Sequence, residues 1–140
     1  MTGWLLDTNV LSELRRPRPN TRVLHFVSNH SAEQFYVSAA TLAEIRFGIE
    51  QVEDASKRRL LMQWLEQTVR PLFGERALDI DEEILLRWRF IIEGGRKSGH
   101  TFGEPDALIA ATALHHGLTV VTRDTREYER ANVPVLNPWA

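Results

Sequence analysis

Four acidic side chains, Asp7, Glu44, Asp106 and Asp124, are the residues of this sequence best suited to act together chemically. Three of them fall where predicted strands and helices meet. In an open α/β sheet such junctions gather along one edge, in the crevice at the carboxyl ends of the strands. Carboxylates brought together there repel one another unless a cation lies among them. Oxygen donors of this kind suit a hard divalent metal, so the pattern points to a metal-dependent enzyme.

Each residue also has a simpler reading. Asp7 and Asp124 fit helix N-caps, and Glu127, three residues after Asp124, completes a plausible capping box. Asp106 falls in a first helical turn, where the helix dipole favours negative charge. Glu44 lies off the Leu42/Ile45/Ile49 stripe, so periodicity alone makes it an exposed glutamate. Shared edge geometry joins Asp7, Asp106 and Asp124; it does not reach Glu44.

The elements that must position these residues follow from apolar spacing and turn residues. Trp4–Leu6 predicts a strand, followed by a helix from Val10 to Arg15 and a proline-broken loop at 16–20. Val23, Phe26 and Val27 suit a second helix, and Phe35–Ser38 a second strand. Leu42, Ile45, Ile49 and Val52 predict one helix, and Leu60, Leu61, Trp64, Leu65 and Val69 another that Pro71 and Gly74 end. Ala77–Ile80 reads as a third strand. Asp81 caps a helix through Ile92 that stops near Gly94-Gly95. Pro105 and Gly117 bracket the next helix, rich in alanine, before strands at Leu118–Thr122 and Val133–Leu136. Strands separated by helices imply a single α/β domain over residues 1–140, with a mostly parallel sheet of four to five strands.

Composition narrows the chemistry. The chain has 140 residues, 43% hydrophobic and 26% charged, and no cysteine, which leaves oxygen and imidazole as metal donors. No apolar run approaches a membrane span, and Met1 leads almost directly into the first strand, so a cytoplasmic protein without a leader is expected. A net charge of −2 is not that of a dedicated nucleic-acid binder. Arg15, Arg16, Arg18 and Arg22 nevertheless cluster after the first helix, as a solvated loop or a phosphate-contacting patch. His115-His116 falls at the far end of its helix, and His25, His30 and His100 lack ligand spacing. Trp64 and Trp88 are expected in the core.

Four segments then carry a family likeness. Leu5–Glu13, Val37–Gly48, Asp106–Ala113 and Val121–Thr125 resemble, in order, the four motifs of PIN domains of the VapC type. The tail Asn137-Pro138-Trp139 is similar to that of the FitB-like subgroup. The resemblance spans essentially the whole chain. It implies that Asp7, Glu44, Asp106 and Asp124 form an acidic quartet that binds Mg²⁺ or Mn²⁺, with Thr122, Asn9 and Ser38 at accompanying polar positions. It also implies the toxin of a type II toxin–antitoxin system, a metal-dependent ribonuclease cutting RNA phosphodiesters. A VapB-type antitoxin, a homodimer and binding of the complex to operator DNA are implied with it. Arg46 and Arg123, beside quartet members, are candidate phosphate contacts. Glu104 is read as a helix cap or a fifth carboxylate. The alternative is a PIN-like interaction module that does not cut RNA and acts with a DNA-binding partner. A phosphatase or phospho-receiver on a similar sheet is disfavoured, because no matching lysine accompanies Asp7.

Overall fold

The computed structural model describes residues 3–140. Met1, on which the expectation about a leader turns, lies outside them. Five strands run parallel: β1 (Trp4–Leu6), β2 (Phe35–Ser38), β3 (Ala77–Leu78), β4 (Thr119–Val121) and β5 (Val135–Leu136). Their order across the sheet is β3-β2-β1-β4-β5. The chain therefore builds one half outward from β1 and then crosses back to build the other half from β4. The boundary between β1 and β4 is a switch point, where open α/β sheets leave a crevice at the strand ends.

Side-chain alternation along the strands fills both faces. Leu6 and Val121 point into one apolar cluster with Val10, Val37, Ile45 and Leu65, whereas Leu5 and Val120 join the opposite one with Ile109, Ala110 and Tyr128. Each fully buried Leu or Val contributes about 1.5–3 kcal/mol, so these central strands anchor both layers.

The helices include α1 (Thr8–Arg15), α2 (Thr21–Ser28), α3 (Ala39–Glu50), α4 (Ala55–Trp64), α5 (Arg70–Phe73), α6 (Glu82–Lys97), α7 (Glu104–His116) and α8 (Thr125–Arg130). Ala107, Ala110, Ala111 and Ala113 are buried, and their short side chains let α7 lie close to its neighbours. Gly117, at φ 65°, ends that helix in the left-handed region as expected. None of the helices among the described residues is long and apolar enough to cross a membrane.

Four expected boundaries differ. Pro71 does not end a helix: a π-helical turn at Leu65–Val69 carries the chain without a break from α4 into α5, and Gly74, at φ 54°, ends it as expected. Helix α6 runs through Gly94 and Gly95 to Lys97, since a β-carbon at Gly95 would stand 2.7 Å from the Phe102 ring and 2.8 Å from the His100 carbonyl. Glycine there marks close packing rather than a stop. The third and fifth strands are shorter than read, two residues each, because both lie at sheet edges with one pairing neighbour.

Candidate active site

Asp7 follows β1 and caps α1, accepting a hydrogen bond from the Thr8 N–H at 2.8 Å. Its own N–H donates to the Val121 carbonyl at 3.0 Å, which extends the β1/β4 pairing into the site. From β4 the chain passes to Thr122, fully buried, whose hydroxyl donates to Asp7 Oδ2 at 2.8 Å. The same hydroxyl accepts from Asn9 Nδ2 at 3.2 Å and from the Asp124 N–H at 3.0 Å. Thr122 thus joins the ends of the two central strands. Asp106, in the first turn of α7, reaches the site from the helix that feeds β4.

Asp7, Glu44, Asp106 and Asp124 line one cavity of about 430 Å³, together with Thr8, Asn9, Ser12, Arg16, Arg123, Trp139 and a fifth acid, Glu13. The four predicted acids therefore share one space, Glu44 reaching it as an exposed residue of α3. Another cavity, of about 400 Å³ between α6 and α8, has no carboxylate among its lining residues within the described chain. The acid-lined crevice is the chemical one.

Electrostatics agree with crowding. Burial, with Asp7, Glu127, Asp124 and Glu44 nearby, pushes the Asp106 carboxyl up to about 6. Burial raises Asp7 too, against the hydrogen bonds from Thr122, Thr8 and Tyr128 that favour its charged form. The Tyr128 hydroxyl, buried beside both acids, is pushed far up and stays protonated.

These residues suit a divalent cation. The donor set is oxygen only, its charges oppose one another, and Thr8 Oγ1, on the cavity wall, is buried without a hydrogen-bond partner among the described residues. No three carboxylates or imidazoles within the described chain gather closely enough to enclose an ion by themselves. An ion here would be held by one or two carboxylates and would keep several waters.

Several expectations need correction. The capping box at Asp124 does not form: its side chain makes no cap bond, and Glu127 is engaged by His100 Nε2 at 2.5 Å. The Asp124 carboxylate is thereby left for the cavity. Ser38 is a cap, accepting from the Ala40 N–H, and is absent from the cavity lining. Arg46 pairs with Glu50 at 3.7 Å and faces a different groove with Asp79, while Arg123 does line the site. Glu104 opens α7 but makes no cap bond and does not line the cavity. Of the arginine cluster, Arg16 reaches the site, and its guanidinium also bonds the buried Glu13.

Tyr128 and Trp139, like Thr8, Ser12 and Glu13 of the cavity wall, escaped the sequence reading. Tyr128 lies four residues after Asp124, a same-face helical spacing that could have drawn attention to it. Trp139 arrives because β5 is parallel to β4, so the tail beyond it emerges at the same edge; Arg123 stacks over its ring at 5.2 Å.

The PIN domain family matches residues 4–133. Over 135 residues the chain is 42% identical to Toxin FitB of Neisseria gonorrhoeae, covering 96% of this chain and 97% of that protein. VapC ribonuclease Y4jK of Sinorhizobium fredii is 37% identical over 135 residues, covering 96% of each. The crystal structure of FitAcB from Neisseria gonorrhoeae is similar at a TM-score of 0.90 and 42% identity, covering 97% of this chain and 98% of that one. FitAB bound to an IR36 DNA fragment gives 0.90 at 40%, covering 98% and 96%. With four of the five strands and all four acids of the crevice inside the matched span, this chain belongs to the PIN domain family.

Proposed function

We propose that the chain is a divalent-cation-dependent ribonuclease, the toxin of a toxin–antitoxin pair, and that its four carboxylates are the catalytic centre. One observation carries this reading: Asp7, Glu44, Asp106 and Asp124 come from four separate segments yet border one crevice at the β1/β4 switch point. Relatives named as a toxin and as a ribonuclease support the activity class.

Asp7, Asp106 and Asp124 would hold Mg²⁺ or Mn²⁺ directly or through water, and Glu44 at the rim would orient the attacking water. When bound, the cation supplies an activated water and stabilises charge on the scissile phosphodiester. Thr122 keeps Asp7 in one orientation through its 2.8 Å hydrogen bond. Arg16 and Arg123 flank the acids and meet the phosphates on either side of the scissile one, offsetting the repulsion between RNA and the carboxylates.

The inhibitory partner fits a second groove. Ile45, Ile49, Val52, Leu61 and Trp64 line an apolar channel that shares Thr8, Ser12 and Glu44 with the site. An antitoxin segment with an apolar face would lie there and reach the acids. FitAB on DNA supports a partner that carries the pair to an operator. Helix α6 exposes Leu85, Leu86 and Phe90, the last 69% exposed, and this face would join two copies into a homodimer.

The test is cleavage of RNA by purified protein with Mg²⁺ or Mn²⁺, with chelator, and by Asp7→Asn. Cleavage is expected to vanish with chelator and to fall at least a hundredfold in the variant, with its circular dichroism unchanged. A folded Asp7→Asn protein that cuts as the parent does would refute the site. A metal-loaded parent that binds RNA without cutting it would favour the interaction module.

A further inference from the structure

Tyr128 is buried in the cluster that holds Leu5, Ala107 and Ala110, a role a phenylalanine ring would serve equally well. Its hydroxyl needs a separate explanation. It stands 3.2 Å from Asp7 Oδ2 and 3.4 Å from Asp106 Oδ1, so one phenolic proton serves two carboxylates that approach it from different elements.

Following each oxygen shows what this does. Asp7 Oδ2 already accepts from Thr122 at 2.8 Å, and Tyr128 takes its second lone-pair direction. Asp7 Oδ1 accepts only from the Thr8 N–H, leaving one direction open. Asp106 Oδ1 belongs to Tyr128, while Oδ2 makes no hydrogen bond among the described residues. Gly103 keeps that second oxygen uncrowded, since a β-carbon there would stand 3.0 Å from it. Asp7 is thus left with a single open oxygen, whereas Asp106 keeps Oδ2 free and shares Oδ1 with the phenol.

Ions differ in what they require from such a pair. Mg²⁺ needs near-octahedral geometry at about 2.0–2.1 Å and is content with single oxygens and waters. Ca²⁺ takes about six to eight oxygens at about 2.3–2.6 Å and readily uses both oxygens of a carboxylate. We propose that Tyr128 is a positioning residue that sets the cation preference of the site, by filling the last free direction of Asp7 Oδ2 and competing for Asp106 Oδ1, so that chelation through both oxygens of either acid must displace its hydroxyl. This rests on the reading of the crevice as a divalent-metal centre.

The experiment titrates metal-stripped protein with Mg²⁺ and, separately, with Ca²⁺ by isothermal calorimetry, comparing the parent with Tyr128→Phe. The parent is expected to prefer Mg²⁺. The variant should lose about tenfold of that preference, the scale of one hydrogen bond to a charged group, mainly through tighter Ca²⁺ binding. Melting curves of the metal-free proteins control for packing, which the retained ring preserves. A purely structural role would weaken both ions alike and leave the ratio unchanged; that result overturns the proposal while sparing the metal centre. Binding of neither ion by the parent overturns both.

Discussion

Asp106 is strained electrostatically in the metal-free protein, and its carboxyl, raised to about 6 from an ordinary 3.8, has a measurable consequence. Between those values the folded state holds a proton that the unfolded state releases, so folding stability is highest below pH 4 for this group and declines as pH rises through about 6. Solvent at the half-buried site screens the effect to about 1 kcal/mol. Thermal melts of metal-free protein should therefore show a falling contribution between pH 4 and 6 that Asp106→Asn removes. Saturating Mg²⁺ should flatten the same slope, because the cation favours the charged carboxylate. Asp7, Asp106 and Asp124 were legible in the sequence because strand–helix junctions locate them. Tyr128 was not, because its partner Asp7 lies 121 positions away and only the closed sheet brings them together. Glu44 needed the family motifs, since its helical spacing describes an ordinary exposed acid. Side chains that reach the crevice from a helix flank leave little trace in periodicity.

At the scale of elements, glycine was the ambiguous letter. In α6, Gly94-Gly95 reads as a terminus from sequence, and the packing of Phe102 against Gly95 explains why the helix continues. Helix α6 leans on α7 there, and α7 carries Asp106. Replacing Gly95 with alanine gains about 1 kcal/mol of helix propensity, while the crowding against Phe102 and the His100 carbonyl costs about 1–3 kcal/mol. The clash should win, since one of the two obstacles is backbone. Chemical denaturation of Gly95→Ala is expected to give a lower midpoint, while Gly94→Ala, with open space at its β-carbon, should be neutral or stabilising. The π-helical turn before Pro71 was illegible for a different reason. Apolar spacing offers no cue for one wider turn, since residues of α4 and α5 on either side of it enter the same apolar cluster.

For the molecule as a whole, charge and topology set what the chain can do alone. Its net charge of −2 gives little attraction for duplex DNA. The toxin by itself should leave operator DNA unshifted in a gel at physiological salt, and the complex with its antitoxin should retard it; retardation by the toxin alone would contradict this division of labour. The fold class was legible at this scale because alternating strands and helices admit few topologies, although the parallel order that brings Trp139 to the crevice needed the assembled sheet. That order also governs timing. Asp7 is joined to Thr122 across 115 positions, so the proposed catalytic centre is split between two segments synthesised far apart in time. At about 5–20 residues per second, a ribosome takes about 6–23 s to cover that interval. Throughout it the nascent chain carries only half of the proposed crevice. An activity that needs both segments is therefore absent until the second has been made and the sheet has closed around the first.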